Sequence, residues 1–409
     1  YKRLADIATS VIKQHHPIII AITGSVGKTS TKEAIKHVLS YERTDDVRAT
    51  YGNLNAEIGL PLTVLGYNKL PNKSEWPLFL LKISKHLKDK QYPKYLILEM
   101  GVEHPGDIDY LSKIAPPDIA VITAATPAHV MNFKNLAEMQ EEKLKLAHKV
   151  KTENIFFNID DHYLNNNISS KNSYGVINKN AKIYAENIEV TKSGNKYDLV
   201  INGQKYSVSN KLLGKQMIYS DLAAVGVAEK LGMDIFKILE AIKSRTPFSG
   251  RMCLIKGKRN TTVIDDTYNA NPASVKAAID TIDEIKYSGR KVAVFGNMNE
   301  LGDISEEEHV KIAKYAEGKV DLLIFVGPNS QKMLNALNSS QKALAYANRL
   351  KVEEQIDEII HDNDLILCKA SQNSNYFEEL VKVLLEDNKK AEKILVRQGA
   401  EWANKKNNF

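Results

Sequence analysis

"ITGSVGKTST", Ile22–Thr31, is the stretch from which the rest of the chain can be read. The preceding "HPIIIAITG" is a β-branched run ending at glycine, and the following "KTSTKEAIKHVLS" reads as a helix. Strand, glycine turn and helix together are the context a phosphate-binding loop needs. In the full Walker pattern a glycine stands five residues before the glycine of G-K-[ST]. Here Ile22 holds that place, and the loop is T-G-S-V-G-K-T with glycines at 24 and 27. The physics survives the difference. Gly24 and Gly27 let the N–H groups around Ser25 and Val26 turn inward on a phosphate. The helix N-terminus carrying Ser30 adds its positive end. Lys28 can neutralise β- and γ-phosphates, and the Thr29 hydroxyl can hold Mg²⁺. The expected nucleotide-binding set is therefore Gly24, Ser25, Val26, Gly27, Lys28, Thr29 and Ser30.

The same alternation continues outward. "KYLILEMG" (Lys94–Gly101), "PDIAVITAAT" (Pro117–Thr126) and "ENIFFNID" (Glu153–Asp160) read as buried strands. Helical patterns, "HPGDIDYLSKIA" and "NLAEMQEEKLKLAHKV", separate them, which predicts a parallel α/β sheet. From Lys182 to Val208 the pattern alternates, with turns at "SGN" and "NGQ", and predicts a small antiparallel β patch. "TPFSGR" (Thr246–Arg251) reads as a linker. Beyond it "TTVIDDTY", "RKVAVFGNM", "VDLLIFVG" and "DLILCKAS" are strands of a second, doubly wound unit. The fold class is α/β: a P-loop-type parallel-sheet ATPase domain over 1–246 with a small antiparallel patch, then a Rossmann-like doubly wound domain over 247–409. The tail "NKKNNF" is expected to fray.

Bulk properties narrow the function. A chain of 409 residues suggests two or three domains, and 43% apolar content is enough for their cores. A net charge of +6 is small for this length and does not argue for nucleic acid. The two cysteines, Cys253 and Cys368, exclude a disulfide framework and zinc-ligand spacing, so a reducing cytoplasm is the expected compartment. No apolar run approaches the ~20 residues of a membrane span, and no signal peptide is visible. The chain begins at Tyr1 rather than Met, so its true N-terminus is expected to lie further upstream.

Two side chains suggest a metal. Glu99 ends a strand, at the sheet edge where ligands bind, and His129 follows another strand end. Each has an ordinary alternative: Glu99 as a helix-capping acid, His129 as a core histidine satisfied by backbone. Beside a phosphate loop, a shared metal site is the stronger reading, although Mg²⁺ prefers oxygen ligands.

The variant loop resembles that of the Mur ligase superfamily, which forms amide bonds between a carboxylate and an amine while splitting ATP. The resemblance implies Glu99 and His129 as metal ligands. It also implies a lysine, fourteen residues after the histidine, that CO₂ converts to a carbamate; that position is Lys143, with Lys145 as the competing candidate. "YGNLNAEIGLPLTVL" (Tyr51–Leu65) resembles the N-x-N-N-E-I-G-x-P motif of the MurF branch, which implies substrate contacts for Asn53, Asn55 and Glu57. "DDTYNANPASVKAAI" (Asp265–Ile279) resembles a second motif of that branch, with Asn269 and Asn271 implied at ATP. "GNMNELGDISEEEH" (Gly296–His309) resembles a third. Arg251 in "SGR" is implied to approach ATP, and Lys369 and Ser371 in "CKAS" to lie near the acceptor amine. The resemblance spans about Leu4 to about Leu385.

Several positions depart from the pattern. Ala56 replaces an asparagine, and Met131 a glutamate. Gln216, Met217 and Ser220 replace the His, Asn and Asn that help hold the nucleotide. Asn297 replaces an aspartate, and Gln372 an arginine, which bears on how an acceptor carboxylate would be held. The UDP-sugar-binding domain of MurF finds no counterpart in these residues. The resemblance implies an ATP- and Mg²⁺-dependent ligase working through an acyl phosphate, MurF-like, in peptidoglycan precursor synthesis. It would act as a monomer on a small-molecule acid and an amino-acid or dipeptide amine, with no nucleic acid and no membrane span. The alternatives are a ligase acting on a peptide or amino-acid polymer without UDP, and a non-catalytic nucleotide-binding homologue.

Overall fold

A computed structural model describes residues 2–41, 46–72, 75–83, 91–126, 132–372 and 375–406. The chain divides into two compact units. One holds residues 1–188, 197–209 and 216–245, the other 189–196, 210–215 and 246–409.

The first sheet contains β1 (Ile18–Thr23), β2 (Val47–Ala49), β3 (Tyr95–Glu99), β4 (Ile119–Ile122), β5 (Ile155–Asn158), β6 (Ser173–Gly175), β7 (Ile183–Thr191), β8 (Gly194–Ile201) and β9 (Gln204–Asn210). Their order is β2-β3-β1-β4-β5-β6-β7-β8-β9. The run from β2 through β7 is parallel. β1 is central and almost wholly apolar, because helices cover both faces of a parallel sheet. Its register decides the site. Ile22 pairs with Glu99 and Thr23 with Ile122, so the phosphate loop, Glu99 and Thr123 emerge at one sheet edge.

One face of the sheet packs on the helices Lys28–Leu39, Lys215–Lys230 and Ile235–Ser244 through Ile35, Val38, Leu222, Val225 and Ile242. The other packs on Lys2–His15 and Asp107–Ile114 through Leu4, Ala8, Val11 and Leu111. The β patch foreseen at 182–208 is present as β7, β8 and β9, but it continues the main sheet rather than standing apart, because β7 pairs with β6. The turn after β8 uses Asn202 (φ 52°) and Gly203 (φ 75°), the left-handed pair that matches hairpin twist.

The second sheet contains β10 (Cys253–Lys256), β11 (Thr262–Asp266), β12 (Lys291–Phe295), β13 (Leu322–Val326), β14 (Ala343–Tyr346) and β15 (Leu365–Lys369). Their order is β10-β11-β15-β12-β13-β14, with β10 antiparallel. The strands β2, β6, β10 and β14 have three or four residues each and were not expected from the sequence; β4 and β5 are as short but lie within longer apolar runs. Of the tail expected to fray, residues 407–409 lie outside the described residues, and the part before them is helical. Residues Ala400–Lys406 form a helix, and Lys406 pairs with Glu378 and Glu379.

Candidate active site

The loop after β1 is shaped by contacts that only glycine permits. Gly24 has φ 143°, and a Cβ there would lie 2.1 Å from Thr123 Oγ1. Gly27 precedes the helix in the left-handed region, φ 85°. Thr123 clamps the loop by donating to Val26 O at 2.5 Å, and Ser25 N donates to Ala124 O at 2.9 Å. Lys28 Nζ lies over the loop, 2.5 Å from Gly24 O.

Glu99 leaves β3 beside this loop and is 3% exposed. Its Oε2 accepts from Thr29 Oγ1 at 3.1 Å, and its Oε1 accepts from Asn55 Nδ2 at 3.2 Å. The buried Lys32 Nζ stands 3.9 Å from the same carboxylate and 3.1 Å from Glu33. Asn55 also receives Gly101 N on its carbonyl at 2.8 Å, which fixes the 51–59 loop against the end of β3. Next to that contact lies a cavity of about 450 Å³, lined by Asn53, Ala56, Glu57, His104 and Tyr110 among others.

Lys143 lies on the inner face of the helix Leu136–Leu144 and is 1% exposed. Its ammonium would be buried against Met139 Sδ, 2.5 Å away. Burial, with the nearby positive charge of Lys28, lowers its pKa to about 7. Lys145, the competing candidate, is half-exposed and ion-paired with Glu142 at 2.7 Å and Asp109 at 3.1 Å. The buried amine is therefore Lys143. His129, foreseen as a metal ligand, lies outside the described residues, as does Met131. Among the described residues no cluster of three His, Cys, Asp or Glu side chains is arranged to hold a metal. Thr29, half-buried, and the buried Glu99 nevertheless form a pair of hard oxygen donors, which suits Mg²⁺ completed by phosphate and water.

In the second unit β11, β12 and β15 bring three loops to one edge. Lys369 is buried and ion-paired with Asp266 at 2.5 Å, and it also donates to Asn269 O at 3.0 Å. Asp265 is fully buried and accepts from Thr267 and from Gly250 N. Burial pushes its carboxyl up to about 6. Arg251 lies over the Tyr268 ring, 4.3 Å from its centroid. Asn271 caps the helix Pro272–Glu284 by accepting from Ser274 N. Asn269 Oδ1 accepts from Ala270 N at 2.9 Å. Ser371 Oγ donates to Ala270 O and accepts from Asn299 N. His309 is buried and neutral, donating from Nδ1 to Ser305 O and accepting from Met298 N on Nε2.

The chain matches the "Mur ligase middle domain" over residues 22–228 and the "Mur ligase, glutamate ligase domain" over 250–372. The UDP-N-acetylmuramoyl-tripeptide–D-alanyl-D-alanine ligase of Bacillus subtilis is 30% identical over 389 residues, covering 94% of this chain and 79% of the relative. This chain belongs to the Mur ligase family. It is an ATP-dependent, amide-forming ligase of the MurF kind. The Escherichia coli ligase of the same name is 27% identical over 391 residues, covering 93% of this chain and 80% of the relative. Two solved structures share the fold. MurF from Acinetobacter baumannii aligns with a TM-score of 0.79 at 24% identity, covering 94% of this chain and 80% of that one. MurF from Thermotoga maritima in complex with ADP aligns at 0.77 and 24%, covering 96% and 84%.

Within this Mur ligase the departures have visible structural consequences. Ser220 donates to Met217 O and accepts from Arg245, whose guanidinium pairs with Asp221. Tyr197 OH donates to the other Asp221 oxygen at 2.8 Å. Asp221 and Arg245 are buried, and burial lowers the arginine pKa to about 10. Sequence reading missed the clamp by Thr123, the second contact of Glu99 through Asn55, and the buried Lys32. Only the position of Thr123 at a strand end marked it beforehand.

Proposed function

We propose that this Mur ligase activates the terminal carboxylate of UDP-N-acetylmuramoyl-tripeptide with ATP and joins it to a small amino-acid or dipeptide amine, as the names of its relatives suggest. The observation that carries the reading is the Thr29–Glu99 pair at the mouth of the Lys28 loop, with the buried amine of Lys143 nearby. In this reading residues 1–246 are the ATP-binding domain and residues 247–409 the domain that presents the amine. The Gly24–Ser30 backbone cradles the phosphates, and Lys28 balances charge on the γ-phosphoryl group as it moves. A carboxylate oxygen of the acid attacks the γ-phosphorus, and the bond to the bridging oxygen breaks, releasing ADP. The amine nitrogen then attacks the acyl carbon. The C–O bond to phosphate breaks, phosphate leaves, and the nitrogen loses a proton.

Thr29 and Glu99 would hold Mg²⁺, and Asn55 and Lys32 keep the carboxylate in place. When bound there, Mg²⁺ neutralises the transferring phosphoryl oxygens. Lys143 supplies a buried amine near neutrality, the state that adds CO₂. The neutral amine would add to the carbon of CO₂: an N–C bond forms, one C=O π bond opens and the nitrogen loses a proton, leaving a carbamate that, with His129, would hold a second Mg²⁺. Asn53 and Glu57 line the cavity beside Gly101 and are assigned to the acid. Arg251, Asn269 and Asn271 remain assigned to ATP, and Lys369 and Ser371 to the frame of the amine subsite. The enzyme would act as a monomer in the cytoplasm. Among the described residues no helix is long and apolar enough to cross a membrane.

ADP release measured with the acid, the amine and each omitted tests this. The reading requires ADP formation that depends on the acid, and a new amide visible by mass spectrometry. ATP hydrolysis indifferent to both substrates refutes it. A peptide acid without a UDP-sugar belongs in the same assay, and turnover with it alone moves the assignment to that substrate class.

A further inference from the structure

The cavity of about 450 Å³ beside Gly101 is lined in a one-sided way. Its floor is apolar, formed by the buried Leu54 and Leu111. Leu70, 53% exposed, carries that apolar wall out to the mouth. The charged side chains stand at the exposed rim: Glu57 just before the helix Gly59–Val64, and Glu103 on the turn after β3. Asp107 is the third carboxylate. Its Oδ2 holds that turn by accepting from Glu103 N at 2.8 Å and from His104 N at 2.7 Å. No lysine or arginine is among the described lining residues, although the chain has 56 of them and a net charge of +6.

The position of the cavity ties it to the reacting end of the acid. Asn55 bridges the two: its carbonyl accepts from Gly101 N at 2.8 Å, and its Nδ2 reaches Glu99 at 3.2 Å. In an amino acid the carboxylate and the side chain leave the same carbon. A peptide acid that offers its terminal carboxylate to the Lys28 loop must therefore send the last residue's side chain into the space alongside. On the Asn55 side that space is the cavity. An aliphatic stem suits the leucine walls, and a cation at its end meets the rim carboxylates. An anion there would face like charge with no lysine or arginine among the described lining residues to receive it. The helix Asp107–Ile114 begins at the cavity, but Asp107 and Asp109 in its first turn offset its positive end.

We propose that the cavity receives the side chain of the acid's last residue and selects one that ends in an ammonium group, with Glu57 and Glu103 as specificity-determining residues. The proposal rests on the ligase reading above and narrows its acid to a peptide ending in a basic, lysine-like residue. That reading already requires an acid at this place; the lining decides the charge of its side chain. Glu57 and Glu103 are exposed, so they act as a local negative potential rather than one fixed ion pair, and the preference weakens with salt.

The test compares three UDP-N-acetylmuramoyl-tripeptides that differ only in the last residue: lysine, norleucine and 2-aminoadipate, with a cationic, a neutral and an anionic side chain. kcat/KM is taken from ADP release at fixed ATP and D-alanyl-D-alanine. The lysine acid should exceed the norleucine acid about tenfold, and the 2-aminoadipate acid should be the poorest. Raising KCl from about 0.05 M to about 0.5 M should shrink both gaps. In Glu57→Gln the lysine-to-norleucine ratio should fall about threefold, and in the double variant with Glu103→Gln it should approach one. A merely structural role would lower turnover of all three acids alike and leave the ratio where it was. A native ratio within about twofold of one, a preference for norleucine or 2-aminoadipate, or an unchanged ratio in the double variant overturns the proposal while the ligase reading stands. If none of the three acids supports ADP release, the ligase reading fails, and the proposal fails with it.

Discussion

Replacing Lys143 with methionine should make the protein more stable and inactive. The amine is 1% exposed, and its pKa falls from 10.5 to about 7 on burial. A base with a depressed folded pKa binds fewer protons folded than unfolded between those two values, so stability rises with pH across that window. The penalty is fully present below pH 7 and disappears above pH 10.5. At about 1.36 kcal/mol per unit, it amounts to about 4 kcal/mol at pH 7 and about 2 kcal/mol at pH 9, as a ceiling. Methionine fills the same space against Met139 without a charge to desolvate. Urea unfolding of native protein and Lys143→Met in CO₂-free buffer, at pH 7 and pH 9, should therefore show the variant more stable, with a gap that halves. Activity of the native enzyme should rise with bicarbonate, and the variant should not respond. A variant less stable than native at pH 7, or a gap independent of pH, would refute the argument that Lys143 is a buried amine near neutrality.

Other substitutions test separate parts of the site. Gly24→Ala places a methyl group 2.1 Å from Thr123 Oγ1 at φ 143°. It should cost about 2 kcal/mol or more of stability and weaken ATP binding at least about 100-fold by calorimetry. Lys369→Met strands the buried Asp266 carboxylate, and chemical denaturation should show a loss of about 3–5 kcal/mol at pH 7. Thr29→Val removes the hydroxyl proposed to reach Mg²⁺ while keeping shape. ADP formation should drop about 100-fold, and Thr29→Ser should restore most of it.

The loop after β1 was legible because its pattern is local. A β-branched strand, two glycines and G-K-T in sequence order specify a loop whatever lies around it. Glu99 was legible through its place at a strand end. Lys143 was not legible from its own helix, where "EEKLKL" reads as a solvated face. Its burial depends on packing against elements distant in sequence, and only the family resemblance marked it. Asn55 was read as a substrate residue, yet its side chain reaches Glu99, a contact across 44 positions that no local pattern encodes. Asn297 was visible only as a departure from a motif; that its Oδ1 is buried without a hydrogen-bond partner among the described residues depends on side-chain directions, which sequence does not record. The strands β2, β6, β10 and β14 were lost because three or four residues carry too little periodicity unless, as in β4 and β5, a longer apolar run surrounds them.

The acyl-phosphate route requires a carboxylate oxygen of the acid to pass to phosphate. UDP-N-acetylmuramoyl-tripeptide labelled with ¹⁸O in its terminal carboxylate, turned over with ATP and D-alanyl-D-alanine, answers this by mass spectrometry of the released phosphate. One ¹⁸O atom in each phosphate is the predicted result. Phosphate carrying no label, while ADP and amide accumulate, would contradict the acyl-phosphate route.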